Sequence, residues 1–105
     1  MSLTNLTRKD HKNERKHIGI EDVLSSKGRV KIMQVLAKHN ELNISEIARR
    51  SQLNHSTAIS HLRFLEKADL VQKKIFGRIR IYRFKLENLR AKGIKNLFEL
   101  WEESF

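Results

Sequence analysis

At 105 residues the chain has room for one ordinary domain and a tail, and 22 Lys and Arg against 12 Asp and Glu give it a formal net charge of +10. That surplus argues for a polyanionic partner, nucleic acid before anionic membrane, with plain solubility as the bland alternative. Without cysteine there are no disulfides, thiolate metal sites or Cys nucleophiles; no apolar run approaches the ~20 residues that span a bilayer, and the polar N-terminus lacks a signal peptide's apolar segment, so a cytoplasmic protein with no membrane partner is expected.

Residues 1–17 carry Arg8, Lys9, Lys12, Arg15 and Lys16 against Asp10 and Glu14, and no large aliphatic follows Leu6 until Ile18. Such a segment buries too little apolar area to offset the entropy of ordering. It is expected to be a mobile basic arm, with a solvated tail of no role as an equal alternative.

Ile18, Ile20, Val23 and Leu24 make a short apolar cluster, one or two helical turns. Val30, Ile32, Met33, Val35, Leu36 and Ala37 then predict a buried helix, capped by Ser25 or Ser26 and ending before His39-Asn40-Glu41, as the floor of the core.

The stretch Asn43 to Ala68 reads as two helices joined by a short turn. Asn43 caps the first, with Glu46 three residues on to complete a capping box and Ile44, Ile47 and Ala48 as its apolar side. Asn54 caps the second. Ala58, Ile59, Leu62 and Leu65 recur at helical spacing behind it, leaving His55, Ser56, Thr57, Ser60 and His61 as a polar front near its N-terminus, suited to the DNA major groove.

After Asp69 the period changes. Val71 to Phe76 and Ile79 to Leu86 are rich in β-branched and aromatic residues and predict a hairpin with its tip at Gly77-Arg78. Lys73, Lys74, Arg78, Arg80, Arg83 and Lys85 lie between Asp69 and Glu87 with no acid among them. A charge run is usually a solvated face, but a basic hairpin directly after a polar-fronted helix would face the same partner.

Residues 87–105 predict a last helix roughly 28 Å long at 1.5 Å per residue. Its apolar residues form two adjoining stripes, Leu86, Leu89, Leu97 and Leu100 on one, Ile94, Phe98, Trp101 and Phe105 on the other. A helix lying on its own domain needs one such stripe. The surplus predicts a dimer interface through Ile94, Leu97, Phe98, Trp101 and Phe105, aromatic anchors being strong in interfaces.

Helix, helix, helix, hairpin, helix is the order of a winged helix-turn-helix: mainly α with a small β-hairpin wing (α+β) and a long C-terminal dimerisation helix. From Leu24 to Phe84 the sequence resembles the ArsR-type winged-helix transcription regulators. The likeness is carried by Lys27-Gly28-Arg29-Val30-Lys31-Ile32-Met33, by Ile44-Ser45-Glu46-Ile47-Ala48, by Leu53 to Val71, and by Gly77-Arg78 and Tyr82-Arg83 in the wing. The pattern is more specific for the superfamily than for one family within it, since MarR-like and other archaeal winged-helix proteins share it. The resemblance implies a homodimer on a short palindromic operator, with the third helix in the major groove and the wing along the backbone. It matches the family's DNA-facing helix positions to His55, Ser56, Thr57, Ser60 and His61, and its wing contacts to Lys74, Arg78 and Arg80; the basic run adds Lys73. Two departures stand out. Where metal-sensing members carry paired cysteines this chain has Leu42-Asn43-Ile44-Ser45-Glu46-Ile47, and no His follows His61 to serve as a last-helix zinc ligand.

His61 admits two readings, a donor to phosphate or base edges or a partly buried residue bonded within the turn; Ser56, Thr57 and Ser60 likewise serve either the groove or local backbone bonding. His55 and His61, six apart, are not the i, i+4 pair that suits one metal, so neither a metal nor another cofactor is expected. Glycines at 19, 28, 77 and 93 stand singly and make no phosphate loop, and no nucleophile has a base and orienter, so no enzyme is expected.

The expected organisation is a basic arm (1–17), a winged helix-turn-helix (18–86) and a dimerisation helix (87–105), forming a sequence-specific double-stranded DNA-binding transcriptional regulator. A sequence-neutral architectural or chromatin protein, and a winged-helix module for protein or RNA contact, are the alternatives. No residue names a small-molecule effector.

Overall fold

The computed structural model describes residues 18–103. The basic arm expected over 1–17 lies outside them, as does Phe105 from the expected dimer face. The elements in order are a short α1 (Ile20–Val23), α2 (Lys27–Lys38), β1 (Leu42–Asn43), α3 (Ile44–Ser51), α4 (His55–Lys67), β2 (Val71–Phe76), β3 (Ile79–Phe84) and α5 (Leu89–Glu103). This is the mainly α architecture with a hairpin wing that the sequence predicts. One strand is new: Leu42 and Asn43 pair with Tyr82 and Ile81, making a three-stranded antiparallel sheet in the order β1-β3-β2. Two residues are too few for an alternation to register in sequence.

Side-chain caps start the helices where the sequence places them. Ser26 Oγ accepts the Arg29 N–H at 3.2 Å, Asn43 Oδ1 that of Glu46 at 2.9 Å, and Asn54 Oδ1 that of Thr57 at 2.8 Å. Each such cap contributes about 1 kcal/mol to its helix. The expected capping box at Asn43 is only half made, because the Glu46 carboxylate accepts from Arg49 at 2.6 Å and Arg50 at 3.0 Å, one helical turn ahead, where cations are within reach. α5 starts at Leu89, two residues later than read from sequence; Asn88 Oδ1 accepts the Arg90 N–H at 2.8 Å and sets the boundary.

The turn from α3 to α4 is tight because Gln52 adopts the left-handed conformation (φ 60°), with the Leu53 N–H returning to Ala48 O at 3.0 Å. α2 is the floor of the core, packing against α3, α4 and α5. Its Ile32, Met33 and Leu36 meet Ile47, Leu62 and Leu65, with Tyr82 and Phe84 closing one side and Ala91 and Ile94 the other. Burying side chains of this size stabilises by roughly 1.5–3 kcal/mol each.

The same packing sorts the last helix. Ile94 is buried, and Phe98 is partly buried against the same core. Both belong to the expected partner face, yet they stand on the arc of α5 that also carries buried Ala91. Leu97 and Trp101 remain outside, 47% and 60% exposed. No described helix is long and apolar enough to cross a membrane.

Candidate nucleic-acid interface

α4 buries Ala58, Leu62 and Leu65 and exposes His55, Ser56 and Ser60, while Thr57 is half-covered. Ser56 Oγ donates to Asn54 Oδ1 at 3.2 Å, so its hydroxyl proton serves the helix cap and its lone pairs stay outward. His61 behaves differently from its supposed neighbours. It is partly buried, with Nε2 3.5 Å from Ser26 Oγ at the start of α2. At about 100° per residue His61 lies beside the buried arc of Ala58, Leu62 and Leu65 and well round from Ser56 and Ser60, which is why it turns inward. Its contact is with the start of α2 and not within its own turn, the local alternative that the sequence offers. Burial first, and the Arg29 charge second, hold its imidazole below the usual His range and favour the neutral form.

Ser56 and Ser60 are continued instead by Arg63 and Lys67, both exposed. Spacings of four, three and four put these four side chains on one line of the helix, opposite its buried arc. Sequence reasoning stopped at the first two turns and missed the two cations. The 3–4 spacing that identified the buried face would have found them.

The wing residues also divide. In register, Val71, Lys73 and Ile75 of β2 stand opposite Phe84, Tyr82 and Arg80 of β3, and opposite residues share a sheet face. Val71, Tyr82 and Phe84 are buried at the base of this face, so the exposed Lys73 and Arg80 run outward on the side of the sheet that packs on the helices. Lys74 is on the other face, 3.3 Å from Glu41. Arg78 stands at the tip, in the turn that Gly77 makes with φ 62° as the first of two central residues, the signature of a type II′ hairpin.

Tyr82 joins the helix to the wing. Its buried phenol is held above the usual Tyr range by burial first and Glu66 next; Arg80 and Arg63 act the other way. Arg63 on α4 and Arg80 on β3 thus both act on one buried ring, so the cationic side of the helix lies near that of the wing.

Asp69 fixes the joint. It takes φ 64° at the end of α4, accepts Lys85 Nζ at 2.7 Å and Asn88 Nδ2 at 2.8 Å on its carboxylate, and receives Asn88 Nδ2 again on its carbonyl at 2.9 Å. One residue therefore ties the helix to the end of the wing and the start of α5. Among the described residues no three His, Cys, Asp or Glu side chains gather to hold a metal ion.

Comparison with known proteins adds to this geometry. Residues 26–73 match the family described as bacterial regulatory protein, arsR family. An uncharacterised helix-turn-helix-type transcriptional regulator of Methanocaldococcus jannaschii is 38% identical over 73 residues, 70% of this chain; the chain spans 66% of that relative's length, just under two thirds. Among solved structures, reduced HlyU from Vibrio cholerae has the same fold, with a TM-score of 0.69 at 22% identity over 93% of this chain and 97% of that one. The homodimeric winged helix-turn-helix DNA-binding domain Mb0332 of Mycobacterium bovis superposes with a TM-score of 0.60 at 26% identity, covering 78% of this chain and 70% of that one.

Proposed function

We propose that the chain, whose residues 26–73 match the arsR regulatory family, is a transcriptional regulator of that family that binds double-stranded DNA sequence-specifically as a homodimer. α4 lies in the major groove, with Ser56, Ser60 and Arg63 toward base edges and Lys67 toward phosphate. Lys73, Arg78 and Arg80 follow the backbone along the wing. The observation that carries this reading is the outward line of exposed Ser56, Ser60, Arg63 and Lys67 on α4, with the basic wing following it in the chain. Hydroxyls and a guanidinium can read bases, while cations on a rigid hairpin set register on phosphates.

The dimer forms through the α5 face that carries Leu97 and Trp101. Next to it, an apolar groove of about 550 Å³ runs between α1 and α5, lined by Ile18, Ile20, Val23, Gly93, Ile94 and Leu97. A second copy's helices would cover both, as homodimeric assembly in the Mb0332 domain supports. In this arrangement residues 18–86 form the DNA-binding unit, and α5 both completes its core and pairs it with a partner; the protein works in the cytoplasm.

Selection of bound duplexes from a random pool tests the proposal. A palindrome with half-sites about one helical turn, roughly 34–36 Å, apart is the expected result. Retention of every duplex equally, with a footprint spread evenly along the DNA, would replace the regulator with a sequence-neutral architectural protein.

A further inference from the structure

The end of the wing is apolar where its surroundings are cationic. Ile75, Phe76 and Ile79 are 60%, 57% and 52% exposed, and Phe76 stands directly opposite Ile79 as the last cross-strand pair before the turn. A Cβ built on Gly77 would meet nothing within 4 Å, so the turn itself is open to a partner. Six basic residues and no acid lie between Asp69 and Glu87. A partner strand is a poor occupant, because β2 is an edge strand bearing Lys73 and Lys74, the charges that discourage edge pairing. The occupant must be polyanionic and must also offer an apolar slot. The DNA minor groove does both: phosphates line its rims, its walls are sugars, and base steps at its floor can be parted by an apolar side chain.

We propose that Phe76 and Ile79 form a wedge that enters the minor groove beside the site held by α4, partly unstacks one base step and bends the bound duplex. This rests on the DNA-binding reading above. Arg78 at the tip stays at the groove's rim, where it meets phosphate whatever the sequence. The cost of unstacking depends on the step, and pyrimidine–purine steps part most easily. Sequence preference therefore extends to a position that no hydrogen-bonding side chain touches.

The test uses the full chain and a duplex recovered from the pool selection, with bend angle read by circular permutation and stacking by 2-aminopurine placed at the step under the wing. Wild-type protein should bend the duplex by about 20° or more and raise the 2-aminopurine fluorescence. The double variant Phe76→Ser, Ile79→Ser should lose most of the bend and the preference for a pyrimidine–purine step while keeping the salt dependence of binding, since neither side chain neutralises a phosphate. A straight duplex, or fluorescence unchanged by wild-type protein, would overturn the wedge while leaving DNA binding intact; the fluorescence needs no variant to fold. Failure to retain any duplex would overturn both readings. Transfer of the wild-type protein, but not the double variant, from duplex to phosphatidylserine vesicles would assign the tip to a membrane surface and overturn the wedge.

Discussion

His61 Nε2 lies 3.5 Å from Ser26 Oγ, the same oxygen that accepts the Arg29 N–H and starts α2. The contact locks α4 against the floor of the core. A Cβ on Gly28 would approach His61 Nε2 to 3.0 Å, so the small residue after Lys27 is part of the fit.

This lock makes stability depend on pH. The folded chain lowers the His61 pKa through burial and the Arg29 charge, so folding favours the neutral ring. For a lowered His the stabilisation is fully present above the unfolded value, about 6.5, and is lost as pH falls through the lower folded value. Thermal unfolding should give a lower Tm at pH 5 than at pH 7.5, and His61→Gln should flatten that difference. An unchanged pH slope in the variant would detach the ring from the effect.

DNA affinity should track the outward line of α4. Arg63→Ala is expected to weaken binding to the selected duplex by about 1–3 kcal/mol if it reads a base, with His61→Gln costing less because its ring faces α2. Arg78→Ala should weaken selected and random duplexes alike. A dimer neutralising roughly eight phosphates would show a slope of log K on log salt of about −7, and removing one cation should reduce that slope by about 1 per contact. A wild-type slope near zero in a salt titration by fluorescence anisotropy would contradict the whole interface.

Two kinds of α5 variant should separate. Trp101→Ser with Leu97→Ser removes exposed apolar side chains; sedimentation should show monomer in place of dimer with little change in helicity. Ile94→Ala opens the core and should destabilise folding by about 2–5 kcal/mol, as urea unfolding would read. A double variant that stays dimeric would move the interface off this face.

At Asp69 the backbone and the side chain can be tested apart. With φ at 64°, Asp69→Gly keeps the conformation and loses only the bonds to Lys85 and Asn88; Asp69→Ala loses the bonds and adds left-handed strain. Ala should therefore be less stable than Gly by about 1 kcal/mol. Equal stabilities in chemical denaturation would show that the joint relaxes.

Most of the fold was legible in local sequence because local chemistry determines it. Ser26, Asn43 and Asn54 start helices with their own side chains, Gly77 supplies the one left-handed φ that the hairpin turn needs, and the change from helical to alternating spacing after Asp69 marks the wing. The acid-free run to Lys85 is likewise a property of the sequence and by itself implies a polyanion. What only tertiary structure decided is which side chains of a correctly placed element look outward. His61 turns in because α2 offers Ser26 and closes over it, whereas Arg63 and Lys67 stay out on the line of Ser56 and Ser60. Lys73 and Lys74 are neighbours in sequence on opposite faces of the sheet, and only the pairing of β2 with β3 says which face meets the helices. Ile94 is buried and Phe98 partly buried, while Leu97 and Trp101 of the same helix stay exposed, because α5 packs one arc against the core. Orientation of that kind depends on contacts between residues far apart in sequence, and no local pattern carries it.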